Sequence, residues 1–123
     1  MQQYLILSVG RDPALMHTRN TVLASAGYSV LQSFTTRDAF QTFMSRDIDL
    51  VILCHTIPED ERGKLIASMK QRSKRTPLIK INANGETDNK LVDGYVHSLD
   101  GPQALLNCVA QVLDKFSGLQ FAV

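Results

Sequence analysis

The chain has 123 residues, 44% of them hydrophobic, and carries 13 basic against 12 acidic side chains for a formal net charge of +1. That is one domain's length with enough chain to bury its own core. It is too apolar and neutral for a disordered segment and too balanced in charge for a nucleic-acid-wrapping surface or an acidic tail. There is no Trp, with three Tyr and five Phe, so a base-stacking surface would take aromatics that the core needs.

Tyr4-Leu5-Ile6-Leu7-Ser8-Val9 is a continuous apolar run closed by Gly10, the pattern of a strand buried on both faces. The opening MQQYLILSVG has no basic n-region and no cleavage site, so it reads as this strand and not as a signal peptide. Asp12-Pro13 starts a helix as N-cap and first-turn proline. Leu15, Val22, Leu23 and Ala26 form its apolar face, and Gly27 stands where a C-terminal glycine belongs. Tyr28 to Phe34 is a second, weaker strand. Thr35 and Thr36 offer N-caps for a helix carrying Ala39, Phe40, Phe43 and Met44.

Asp49-Leu50-Val51-Ile52-Leu53-Cys54 is the most apolar strand, and Leu53 is expected to be fully buried. Pro58 and the acidic run Glu59-Asp60-Glu61 open a third helix, matched to its dipole, with Leu65, Ile66 and Met69 as the buried face. Lys70, Arg72, Lys74 and Arg75 close it as a solvated, dipole-matched end. Pro77 to Ile81 is a fourth strand. Asn82 to Asn89 is polar and turn-rich, so any helix there is short and weak. Gly94 to His97 is a short fifth strand. Asp100-Gly101-Pro102 starts the last helix, whose Leu105, Val109, Val112, Leu113 and Phe116 make the clearest amphipathic stripe; the tail after it is expected to be frayed or loosely packed.

Five βα units in this order imply an α/β fold, a parallel sheet with helices on both faces. In such sheets the working site lies beyond the carboxyl ends of the strands, at the switch point. That directs attention to Gly10 to Asp12, Cys54 to Pro58, Asn82 to Asn84 and His97 to Leu99. No phosphate cradle stands there: GRDP after the first strand is neither GxGxxG nor a Walker loop. No GxSxG elbow supports a Ser/His/Asp triad. His55, His97 and Cys54 do not form a spaced metal motif, and the bland reading of each His as a hydrogen-bonded, partly exposed residue is stronger. Cys54 and Cys108 are too few for a disulfide scaffold or zinc site and read as buried free thiols. A reactive Cys54 would need electropositive help, which Arg11 could give. No apolar stretch approaches a membrane span. A reducing, cytoplasmic setting is expected.

The distributed pattern VGRDP, AGYSV, DLVILCHTIP, TPLIKINA, DGYVHS and GPQALLNCVAQVL resembles the bacterial response-regulator receiver domain, the CheY-like family, over residues 3 to about 116. The resemblance implies a single receiver-like domain over residues 1–123, with a flavodoxin-like five-stranded parallel sheet in the order 2-1-3-4-5. It also implies where chemistry has been lost. The acidic pair that holds Mg²⁺ in receivers falls at Gly10 and Arg11, leaving only Asp12 acidic. The phosphoacceptor Asp falls at Cys54, the switch hydroxyl at Asn82, and the Lys-Pro pair at Ser98-Leu99. Pro58 and the mobile aromatic, at Tyr95, are kept. Mg²⁺ wants hard oxygen ligands and an aspartyl phosphate needs a carboxylate nucleophile, so the chain resembles a degenerate pseudo-receiver.

The expectation is therefore a non-enzymatic, phosphorylation-independent two-component (phosphorelay-type) signalling module with no cofactor and no metal. The chain ends with its last helix, so no output domain is expected. Its partner would be another protein, met through the face from Asn84 to Phe116; a homodimer through that face is open, and neither nucleic acid nor membrane is expected. Arg11 is expected beside Asp12 and near Cys54, where it either stands in for the metal, bonded to Asp12 and the Cys54–Ile57 carbonyls, or swings out to solvent and contributes little. Two rival readings are a thiol-based redox sensor using Cys54 and a small-anion sensor at the vacated acidic pocket, with Arg11 holding the anion.

Overall fold

The computed structural model describes residues 3–83 and 89–121, with side chains described as far as residue 116. Five strands, β1 (Leu5–Val9), β2 (Ser29–Ser33), β3 (Leu50–Leu53), β4 (Leu78–Asn82) and β5 (Gly94–His97), pair in parallel in the order β2-β1-β3-β4-β5. The expected sheet is the observed one. Four helices are described: α1 (Pro13–Ser25), α2 (Thr36–Ser45), α3 (Glu59–Arg72) and α4 (Gly101–Phe121). The expected five βα units thus become four among the described residues, since most of the weak segment from Asn82 to Asn89 lies outside them and residues 89–93 form turns before β5. The tail is not frayed as far as it is described, since α4 continues through Phe121; its side-chain packing and its last two residues lie outside the described residues.

The start signals act as chemistry dictates. Asp12 Oδ1 accepts from the Leu15 N–H at 3.2 Å and Thr35 Oγ1 from the Asp38 N–H at 3.0 Å, each satisfying an otherwise orphaned helix donor. Gly27 ends α1 at φ 98°, a left-handed conformation that a side chain would strain. β3 is one residue shorter at each end than the sequence suggests; Asp49 still bonds to β1, its N–H donating to the Leu5 carbonyl at 2.9 Å and its carboxylate accepting the Leu5 N–H at 2.8 Å.

Period-two alternation splits the core across the sheet. Ile6, Leu50, Ile52, Ile79 and Ile81 pack with α1 and α4. Leu7, Val9, Val51, Leu53 and Leu78 pack with α2 and α3. Leu53 is fully buried, as expected. On α1 the buried residues are Met16 and Leu23, whereas Ala26 is exposed beyond the helix end. Gly94 matters for α4: a Cβ there would stand 2.8 Å from Cys108 Sγ and 3.0 Å from Val112 Cγ2, so the bare backbone lets that helix sit close to β5.

Lys70 departs from the solvated helix end expected of it. Its Nζ donates to the Asp93 carboxylate at 2.8 Å and to the Thr76 carbonyl at 3.0 Å, and lies 5.5 Å from the Phe116 ring centroid. It ties the end of α3 to the turn before β5. Among the described residues no helix is long and apolar enough to cross a membrane.

Candidate functional site

The sheet order places β1 and β3 side by side at its centre, so their carboxyl ends, residues 10–12 and 54–58, form the crevice where such sheets work. The Cys54 N–H donates to the Val9 carbonyl at 2.8 Å, continuing the ladder past the strand and fixing the thiol at the crevice floor. Cys54 is 3% exposed.

Gly10 and Cys54 come together as the sequence suggests, but the space between them is closed. A Cβ at Gly10 would meet Cys54 Cβ at 2.8 Å, Met16 Sδ at 3.0 Å and Thr56 Oγ1 at 3.2 Å. A side chain at Gly10 would therefore have to displace these neighbours.

Of the two placements expected for Arg11, the structure shows the outward one and not the metal stand-in. The Arg11 backbone N–H donates to Thr56 Oγ1 at 2.9 Å, but the guanidinium reaches outward to Glu61, with Nη2 at 2.8 Å from Oε1 and 3.0 Å from Oε2. Asp12 is not its partner, being occupied as the α1 cap. The physical reason is simple: the first turn of α3 presents a carboxylate to the long Arg11 side chain, whereas the Cys54 loop presents none.

The guanidinium at the thiol belongs to Arg19 of α1, which the sequence reading missed. Arg19 Nη1 donates to Cys54 Sγ at 2.8 Å, and His55 Nδ1 lies 3.6 Å from the same sulfur. A signal was present: Arg19 stands four residues after Leu15 and three before Val22, a cation inside the inward stripe of α1.

A second cluster, on the α2/α3 side, was also missed. Lys80 of β4 and Arg62 of α3 are fully buried, at 1% and 0% exposure. Both bind Glu59: Lys80 Nζ donates to Oε1 at 2.6 Å and Arg62 Nη2 to Oε2 at 2.8 Å, while Arg62 Nη1 donates to the Ile81 carbonyl at 2.9 Å. Partial burial of Glu59 pushes its carboxyl pKa up, but the hydrogen bonds and charges of Lys80 and Arg62 outweigh that and hold it below the ordinary glutamate value.

The remaining expected positions scatter. Asn82 ends β4 with a buried Oδ1 that has no hydrogen-bond partner among the described residues. Tyr95 turns outward, its hydroxyl bonded to the Asn89 backbone. Ser98 and His97 line a cleft between α1 and α4 together with Arg19. Asn84 lies outside the described residues. Both cysteines are free, but only Cys54 is buried as expected; Cys108 is half-buried, and that partial burial pushes its thiol pKa up.

No family profile and no curated protein matches the chain. Solved structures do. The signal receiver domain of an HD domain-containing protein from Pseudomonas fluorescens Pf-5 is 22% identical, with a TM-score of 0.84 over 100% of this chain and 96% of that one. A response regulator receiver domain protein from Clostridium thermocellum is 17% identical, with a TM-score of 0.86 over 94% and 98%. A CheY-like receiver domain protein from Methanospirillum hungatei JF-1 is 18% identical, with a TM-score of 0.83 over 95% and 98%. The chain therefore has the CheY-like receiver fold across nearly its whole length.

Proposed function

We propose that this chain is a receiver-type signalling module that lacks Mg²⁺-dependent aspartyl phosphorylation and acts by binding another protein. The observation that carries the reading is the closed crevice. A thiol, Cys54, takes the place of the family's phosphoacceptor and packs against Gly10, the place of a metal-binding acid.

The residues present do not fit the family's Mg²⁺. That ion keeps near-ideal octahedral geometry with hard oxygen ligands. Gly10 offers no side chain and no space for one. Arg11 brings a cation already paired with Glu61. Cys54 offers a soft sulfur with the Arg19 guanidinium against it. The nearby carboxylates have other work: Asp12 caps α1, and Glu59 binds Lys80 and Arg62.

Recognition by a protein finds support on the face from residue 84 to 116. β5 is an edge strand. Leu91, Tyr95 and Leu99 stand exposed along this part of the chain, with Leu99 at 82%, and they are three of the five large apolar side chains exposed among the described residues.

Intact-mass measurement after incubation with phosphoramidate and Mg²⁺ tests the reading. The expected result is no added mass. A gain of one phosphoryl group, removed by hydroxylamine as an acyl phosphate would be, overturns it.

A thiol-sensor reading has one observation in its favour, the Arg19 guanidinium on Cys54 Sγ, the electropositive setting that activates thiols. The burial of Cys54 weighs against it. Alkylation by iodoacetamide separates the two: reaction in the native state faster than that of a free thiol supports the sensor, and reaction only on unfolding supports the packed thiol.

A further inference from the structure

The cleft between α1 and α4 has a volume of about 160 Å³ and is joined to Cys54 through Arg19. Its walls include Val22 of α1, Val96 of β5 and Leu105 of α4, and Arg19 and Ser98 supply polar groups. A well-packed interior rarely keeps an apolar space larger than a water molecule, and apolar cavities of about 150 Å³ hold a single benzene ring.

Arg19 makes this cleft more than a packing gap. Its guanidinium is partly buried and always charged. Among the described residues no carboxylate pairs with it, and its one recorded hydrogen bond goes to the Cys54 sulfur. The contrast with Arg11, which has Glu61, and Arg62, which has Glu59, is plain. A partly desolvated cation calls for a counter-charge, and a guanidinium has five donors in a fork that matches a carboxylate. The amino end of α4 borders the same space at Gly101, so its dipole adds to the positive potential.

We infer that this cleft binds a small monocarboxylate with a compact apolar body of about one ring, its carboxylate on Arg19 and its body between Val22, Val96 and Leu105. A free inorganic anion would leave the apolar walls uncovered. A nucleotide is too large for the volume. A neutral ring would leave the guanidinium unmatched. The inference goes beyond the receiver reading and does not rest on it, since the phosphodonor experiment bears on Cys54 alone.

The test is an amide NMR titration of the full chain with benzoate, benzyl alcohol and acetate. Benzoate is expected to shift residues 15–22 and 96–105 saturably, and to bind about tenfold or more tighter than either control, the worth of one charge-assisted hydrogen bond. Arg19→Met should bring benzoate down to the level of benzyl alcohol. Arg19→Lys, which keeps the charge without the fork, should retain part of the preference. Val22→Phe, which fills the cleft, should abolish binding of both ring compounds. No saturable shift, shifts elsewhere, benzyl alcohol binding as tightly as benzoate, or acetate doing so, would each overturn the inference.

Discussion

Two buried or half-buried cationic groups flank the same carboxyl edge of the sheet, and they are balanced in opposite ways. On the α2/α3 side, Lys80 and Arg62 share the Glu59 carboxylate and lie within a continuous core. On the α1/α4 side, Arg19 meets a sulfur and an open cleft. The first arrangement is a closed electrostatic structure that locks α3 to β4. The second leaves a charge whose compensation can come from outside. The proposed ligand site lies on the half where the charge is less well matched.

The locked half should be the costlier to break. Leu53→Ala removes a side chain buried beneath α2 and α3 and is expected to cost about 2–5 kcal/mol in urea unfolding. A loss under about 1 kcal/mol would place β3 at the periphery. Glu59→Ala deprives both buried cations of their shared carboxylate and should cost about 2–3 kcal/mol, although the Glu59 side chain itself is 45% exposed. An unchanged melting temperature would mean that the triad is ornamental.

The closed crevice can be attacked by restoring an acid. Gly10→Asp forces a Cβ against Cys54, Met16 and Thr56 and is expected to destabilise by about 1–3 kcal/mol through overpacking. A neutral or stabilised variant would show that the crevice opens readily.

The Glu59 network also predicts a pH response. Its folded pKa is depressed, so its contribution is fully present above the unfolded glutamate value and is lost as pH falls through the folded one. Acid unfolding should begin below about pH 4.3 and should be less steep in Glu59→Gln, which has no proton to gain there. The smallest effect belongs to Arg11→Ala. The Arg11–Glu61 pair is solvent-exposed on both sides and should contribute under about 1 kcal/mol; a larger loss in thermal melting would restore Arg11 to a structural role.

The fold was legible because its signals are local. Apolar runs at β1, β3 and β4, the Asp12 and Thr35 caps and Gly27 each announce an element without reference to anything distant. The sheet order came through the resemblance to receivers, and the structure bears it out. The site was legible by position and not by partner. Gly10 and Cys54 could be placed at one edge from strand ends alone, yet which cation reaches the thiol depends on how α1 is rotated on the sheet. Arg11 looked nearer because it follows the carboxyl end of β1, but long side chains take the carboxylate that the tertiary fold brings to them. Lys80 carried a warning that could have been read: a lysine inside a strand buried on both faces requires an acidic partner. That the partner would be Glu59, 21 residues away at the start of α3, was beyond any local pattern.

The central claim is that this receiver fold has no seat for the ion on which receiver phosphorylation depends. Titrating the wild-type chain with Mg²⁺ and following the amides of residues 10–12 and 54–57 by NMR tests it most directly. The account predicts only small, linear, non-saturating changes through millimolar concentrations. A saturable shift confined to those residues, accompanied by a higher melting temperature, would contradict it.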